Sequence, residues 1–246
     1  MLSNELKEKL RALRLSSWIE TWEQNMRMAA ENNISLESLM VMMIDQEVAR
    51  KQDNALRRRI AKAKIEDEWR IETYPFNRQP KLDRRKIMVA YDSMDYIHTQ
   101  RNIVWMGPTG CGKTGLATAF LMQALDRGFS GQMVGFAQLI NELFQSAADH
   151  TERKTLRPYI RCDCLVIDEL GYTEVESAQV GLLFELLQRR HRKACTLITT
   201  NLGFKEWGSF LKNDHLTAAL VDRLTENCDV FNMSGCKSLR RSPRNV

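Results

Sequence analysis

Gly107-Pro108-Thr109-Gly110-Cys111-Gly112-Lys113-Thr114 fits the pattern G-x-x-x-x-G-K-[ST] and directly follows the apolar stretch Ile103-Val104-Trp105-Met106, which reads as a buried strand. The bare pattern arises by chance in about one chain of this size in a hundred. Its context makes chance a poorer account still. Gly115 to Leu125 follows, with Leu116, Ala119, Phe120 and Met122 to Leu125 spaced for a helix, and Arg127-Gly128 supplies a stop. Strand, glycine loop and helix in that order specify a nucleoside triphosphate site. The residues from Gly107 to Gly115 are expected to wrap their backbone N–H groups around the phosphate oxygens of ATP, with the dipole of the new helix aimed at the same anion. Lys113 is placed for the β- and γ-phosphates, and the Thr114 hydroxyl for Mg²⁺. Cys111 has two readings: a thiol activated by the helix N-terminus, or a small residue filling space.

Downstream, Cys164-Leu165-Val166-Ile167-Asp168-Glu169 is an apolar strand ending in two acids. Alone it says little; paired with the loop it supplies the rest of a hydrolytic site. Asp168 is expected to hold Mg²⁺, and Glu169 to polarise the water that attacks the γ-phosphate. A further apolar strand, Thr196-Leu197-Ile198-Thr199, leads to Thr200-Asn201. This puts an amide at the carboxyl end of a strand, where α/β sheets bind ligands. Asn201 either orients the water or caps a turn.

Working outward, residues 82–246 alternate helix and strand: helix 82–91, strand 103–106, the loop and its helix, strand 132–136, helix 137–148, strand 164–167, helix 177–192, strand 196–199, and helices near 204–211 and 214–225. That alternation predicts an α/β fold with a doubly wound parallel sheet. Residues 1–72 show only helical spacing and predict a small all-helical N-terminal domain. Two short helices break near Leu15-Ser16-Ser17, with Ser17 as a cap for the second, and a long helix starts at Ser35. Pro75 and Pro80 interrupt the periodicity, so 73–81 is expected to be a linker.

The net charge of +5 is unevenly distributed. Arg50 to Lys64 carries Arg50, Lys51, Arg57, Arg58, Arg59, Lys62 and Lys64 against the single acid Asp53, and smaller basic runs fall at 153–161, 189–193 and 237–244. Any one run alone reads as a solvated helix face. Together, beside a triphosphate site, they favour a polyanion, and duplex DNA is the expected partner of Arg50, Lys51, Arg57, Arg58, Arg59 and Lys62. The longest apolar run, 39–44, is far too short to span a membrane, and the N-terminus has no signal-like apolar stretch, so a cytoplasmic location is expected. The six cysteines show no C-x-x-C spacing and read as reduced thiols. For Cys162, Cys164 and Cys195, small core hydrophobes are a better account than a zinc site.

These residues together resemble the AAA+ ATPases, and more closely the branch that holds the DnaC helicase loaders and the IstB ATP-binding proteins of insertion sequences. Residues 107–114 match Walker A, Leu165 to Glu169 Walker B, and Thr199-Thr200-Asn201 sensor 1. The resemblance to IstB runs further, through Asn77 to Arg85, Asn201 to Gly208 and Ala218 to Leu224. It implies an AAA+ P-loop fold and a role for Arg223 as an arginine finger reaching a neighbouring subunit's nucleotide, hence a homo-oligomer. It also implies a second sensor near Gly235 to Arg240, with Arg240 the better match and Arg241 the alternative. The implied function is an ATP-dependent transposition helper. It would oligomerise on duplex DNA, present that target to a partner transposase and disassemble on hydrolysis. A loader of a replicative helicase is the alternative. Glu169 argues against a scaffold that hardly hydrolyses ATP, and no acceptor pocket for a small-molecule kinase is legible.

Overall fold

Five apolar stretches form one parallel sheet in the computed structural model, which describes residues 2–172, 175 and 177–240. The strands are β1 (Asn102–Met106), β2 (Gly131–Gly135), β3 (Cys164–Leu170), β4 (Cys195–Thr200) and β5 (Cys228–Asn232), in the spatial order β2-β3-β4-β1-β5. Each neighbouring pair is parallel. A parallel sheet buries both faces, which explains why β4 is buried at every position and β1 at its three central ones. Helix α6 (Lys113–Asp126) is buried along almost its whole length and packs on the sheet's central strands. The remaining helices of this part are α4 (Arg84–Ser93), α5 (Asp95–His98), α7 (Phe136–Ala148), α8 (Glu152–Arg161), α9 (Ser177–Arg190), α10 (Trp207–Leu211) and α11 (Asp214–Thr225).

Three of these elements are absent from the sequence expectation. Strand β5 has no apolar run; it is recruited by pairing with β1, where Phe231 stacks on Trp105 at 4.3 Å between ring centroids. Helix α8 buries only Leu156 and Tyr159 and contains Pro158, a residue that reads as a helix breaker in sequence. Helix α5 is four residues long.

The chain divides into two compact units at Arg58/Arg59 rather than at the expected 73–81 linker. That stretch is not a linker. It forms two single-turn helices, Ile71–Thr73 and Phe76–Arg78, and buries Tyr74 and Gln79 to 4 % and 1 % exposure. The unit 1–58 is helical: α1 (Asn4–Ala12), capped by the Ser3 hydroxyl, α2 (Ser16–Glu31), and the greater part of α3 (Leu36–Ala63). Ser17 does not cap α2, which begins one residue earlier with no side-chain cap. Instead its N–H and hydroxyl both donate to the buried Glu47 carboxylate, at 2.9 and 2.5 Å. Burial raises the Glu47 pKa, but the two Ser17 bonds and nearby Lys51 and Arg50 outweigh it and hold the carboxyl below its ordinary value.

Arg190 organises the sheet's amino-terminal edge. It is 1 % exposed, and its guanidinium donates to the carbonyls of Tyr159 (2.5 Å), Cys162 (2.8 Å) and Cys195 and to the Thr196 hydroxyl (3.1 Å). The end of α8 and the starts of β3 and β4 thus share one donor group. Among the described residues, no helix is long and apolar enough to cross a membrane, and no cluster of His, Cys, Asp and Glu could hold a metal ion.

Two predictions follow from this packing. Arg190→Leu strands three buried carbonyls, each costing about 1–3 kcal/mol, so urea denaturation is expected to show a loss of about 3 kcal/mol or more. For Glu47 the depressed folded pKa means its stabilisation is present above the ordinary carboxylate value and lost as pH falls through the folded one. Glu47→Gln should therefore melt lower than the parent at pH 7, with the difference closing towards pH 3 in thermal denaturation.

Candidate nucleotide site

The phosphate loop hangs between β1 and α6 at the carboxyl end of the sheet, pinned at its start by Gly107 N–H donating to Thr200 O at 3.1 Å. Gly110 and Gly112 take φ of +78° and +100°, and a Cβ on Gly112 would lie 2.5 Å from the Tyr74 hydroxyl. A side chain at Gly112 thus meets both backbone strain and a clash. Lys113 is 6 % exposed and donates to Gly107 O at 2.8 Å and Pro108 O at 2.9 Å, which folds the ammonium into the mouth of the loop. Cys111 is wholly buried, and burial pushes its thiol up despite neighbouring Lys113. Of its two readings, the small packed residue fits and the activated thiol does not.

Asp168 sits at the centre of the site. The Thr114 hydroxyl donates to its two carboxylate oxygens at 3.0 and 3.2 Å, and the Thr199 hydroxyl donates to the same carboxylate. Thr199 also accepts from Glu169 N–H at 2.9 Å. This bond accompanies an irregularity in β3, where the register shifts between Ile167 and Leu170 and Glu169 takes φ of +61°. The exposed Glu169 side chain lines a cleft of about 480 Å³, shared with Lys64, Trp69, Thr114, Gly135 and Asp168. Asn201 is exposed at the end of β4, its Oδ1 within 2.8 Å of the position a Cβ on Gly171 would take. The hydroxyl of Thr114 and the carboxylate of Asp168 are hard oxygen donors of the kind Mg²⁺ takes.

Several residues at the loop were not singled out as site residues by sequence reasoning. Gln79 donates to Cys111 O at 3.0 Å and Lys237 O at 2.6 Å, and accepts from Lys237 N–H at 3.0 Å. Tyr74 donates to Cys111 O at 3.2 Å, Leu239 N–H to Gly110 O at 2.8 Å, and Thr109 and Tyr172 share a hydroxyl bond at 2.9 Å. The Trp69 ring lies against Gly115. Arg240 runs past the loop, its Cδ 3.5 Å from where a Cβ on Gly110 would stand, while the competing Arg241 lies outside the described residues. The aromatic pair Tyr74 and Phe76 packs edge to face at 4.8 Å.

The other expected residues are elsewhere. Arg223 stacks on Phe184 at 4.8 Å and shares a crevice with Asn102 and Thr196, near the amino ends of β1 and β4, at the opposite end of the sheet from the loop. Of the basic set on α3, Arg50 forms a two-bond pair with Glu20 (2.7 and 2.8 Å) and Lys51 pairs with Glu47 at 3.7 Å. Arg59 is half-buried and donates to Leu125 O at 2.8 Å. Arg57, Arg58 and Lys62 are exposed, and none is in an ion pair among the described residues.

A family model for the IstB-like ATP binding protein matches residues 8–245. The chain belongs to the IstB-like ATP-binding protein family. With that membership it is an ATP-binding protein of the AAA+ ATPase class. It is 29 % identical over 234 residues to the insertion sequence IS5376 ATP-binding protein of Geobacillus stearothermophilus, covering 95 % of this chain and 93 % of that one. Among solved structures it is similar to DnaI (TM-score 0.57, 19 % identity, 67 % of this chain and 90 % of that one). It is also similar to the DnaC helicase loader (TM-score 0.52, 22 % identity, 60 % and 86 %). At such identities the likeness is one of fold.

The double contact made by Thr199 yields a prediction. Thr199→Val keeps the shape but leaves Asp168 and the Glu169 N–H each short of a partner. Nucleotide affinity should change less than threefold while ATP turnover falls on the order of tenfold or more, read by steady-state phosphate release beside fluorescent-nucleotide binding.

Proposed function

We propose that this IstB-like protein is an ATP-hydrolysing helper of DNA transposition that assembles on duplex DNA in its ATP state, presents that DNA to a partner transposase and disperses after hydrolysis. The observation that carries the chemical part is the bonded set Thr114, Asp168, Thr199 and Glu169 at the mouth of the phosphate loop. The transposition context rests on family membership and on a relative named for an insertion sequence.

In this reading the loop amides and Lys113 hold the β- and γ-phosphates, exchanging the contacts of Lys113 to Gly107 O and Pro108 O for phosphate oxygens. Thr114 and Asp168 hold Mg²⁺, which when bound offsets phosphate charge. Glu169, fixed at its backbone by Thr199, takes the proton of the attacking water as the bond from γ-phosphorus to the bridging oxygen breaks, and Asn201 orients that water. Arg240 flanks the phosphates from the tail. Arg223 stands at the far end of the sheet and serves a neighbouring subunit's site. Arg57, Arg58 and Lys62 bind DNA phosphates with little sequence preference, while Arg50, Lys51 and Arg59 are held by partners within the chain. The fold likeness to the DnaC helicase loader favours helicase loading as the second reading.

The deciding experiment measures ATP turnover and light scattering of the full chain with and without random-sequence duplex DNA. Lys113→Ala should lose nucleotide binding; Glu169→Gln should bind and assemble but turn over about 10²–10⁴ times more slowly. Arg223→Ala should retain nucleotide and lose roughly 10³-fold or more in turnover. A protein that stays monomeric with ATP and ignores DNA would sink the reading, and capture of a replicative helicase in place of a transposase would install the second.

A further inference from the structure

Two basic runs that the ATP site does not use, 153–161 and 189–193, converge in the fold. Helix α8 packs against α9, and both end at the amino-terminal edge of β3 and β4. A groove of about 410 Å³ opens there, lined by Arg161, Asp163, Arg189 and Lys193 among others. Its floor is fixed by the buried Arg190, whose bonds to Tyr159 O, Cys162 O and Cys195 O tie the helix end to both strands.

The charges at this groove are not equivalent. Arg189 is paired with Glu185 at 2.5 Å, and Asp163 is occupied by the N–H and hydroxyl of Ser130 at 2.8 and 2.7 Å. Arg161, Lys193 and Arg157, one turn earlier on α8, are exposed and in no ion pair among the described residues. Basic residues in a helix's last turn ordinarily answer its unpaired carbonyls. Arg190 already does so for α8, and the N–H groups of Lys193 and Ala194 do so for α9 through Arg190 O. The three free cations are therefore surplus to the fold.

We infer that Arg161 and Lys193 of this groove, together with Arg157 one turn earlier on α8, form a second track for the DNA phosphate backbone. The inference rests on the DNA-binding reading above and adds to it a site on the ATPase unit. The cations are strung out rather than converging on one point, with Arg157 and Arg161 about 6 Å apart along the helix axis. That suits a repeating anion better than a single small one. The groove offers no aromatic anchor of the kind on which protein interfaces centre. It lies at the opposite end of the strands from the phosphate loop, so DNA held here leaves the nucleotide site of the same chain uncovered.

The test is fluorescence anisotropy of the full chain, with ATP and Mg²⁺, on a labelled random-sequence duplex across a salt titration. The triple variant Arg157→Gln/Arg161→Gln/Lys193→Gln is set beside the parent. Expected are affinity at least tenfold weaker near 0.1 M salt, a slope of log K against log salt shallower by about three, and ATP turnover without DNA unchanged. Should the triple variant fold poorly, Arg161→Gln and Lys193→Gln singly should each lower the slope by about one, and Arg161→Lys should restore it. Parent and variant binding alike, with the same slope, overturns the groove and leaves DNA binding through α3 standing. A parent that does not bind DNA overturns both. If the variant instead loses ATP-driven assembly measured without DNA, the groove is a contact between subunits and the inference fails.

Discussion

The Asp168 carboxylate is the constraint on which the site depends. Three segments distant in sequence meet on it: the first turn of α6 through Thr114, the end of β3 that carries it, and the end of β4 through Thr199. Thr199 is wholly buried, so its hydroxyl needs both an acceptor and a donor in the protein. It finds them in Asp168 and the Glu169 N–H. The second bond accompanies the positive φ of Glu169, a backbone conformation uncommon for a residue that carries a side chain. The same hydroxyl thus orients the candidate metal ligand and fixes the backbone of the candidate base.

A second clamp closes on the loop from outside the sheet. Gln79, in the stretch between the two prolines, joins Cys111 O of the loop to Lys237 of the tail. Tyr74 shares the same carbonyl, and Leu239 N–H reaches Gly110 O. The tail leaves the sheet at Met233, whose N–H donates to Met106 O at 2.6 Å, and from there the described tail residues and the stretch before the core are held at the loop by bonds to its carbonyls and to each other. The loop is consequently buttressed at Gly110 and Cys111, and a glutamine only 1 % exposed is what couples the two segments.

What the sequence made legible follows from which residues carry a local signal. The loop, the strand ending in Asp168 and Glu169, and the helix after the loop declare themselves because their glycines, apolar runs and spacing are local. Family membership and the parallel sheet agree with that reading. Strand β5 stayed hidden because Cys228-Asp229-Val230-Phe231-Asn232 gains its identity from lying beside Trp105, a long-range partner. The 73–81 stretch was misread because two prolines mark a break in periodicity without saying whether the broken segment packs. Thr199 lies in the sensor 1 match and Gln79 in the IstB-like stretch, but neither motif says what their side chains bond; their importance is a matter of which buried carbonyls and carboxylates surround them. The basic cluster was only partly legible for the same reason, since Arg50 and Arg59 find partners that composition cannot foresee.

The position of Arg223 bears on why such a chain would assemble. The candidate nucleotide site lies at the carboxyl ends of the strands, whereas Arg223 stacks on Phe184 beside Asn102 and Thr196 near the amino ends of β1 and β4. A strand of five residues advances about 3.3 Å per residue, so the length of the sheet separates this guanidinium from its own loop. No side-chain rearrangement spans that gap. On the proposed reading, turnover then requires a second subunit placed so that its Arg223 crevice, beside β1 and β4, meets the first one's carboxyl-end cleft. Such a head-to-tail contact does not close on two copies, and extends into a ring or a helical filament. DNA that holds subunits in a row would supply that arrangement, coupling hydrolysis to occupancy of the duplex without the nucleic acid touching the catalytic residues.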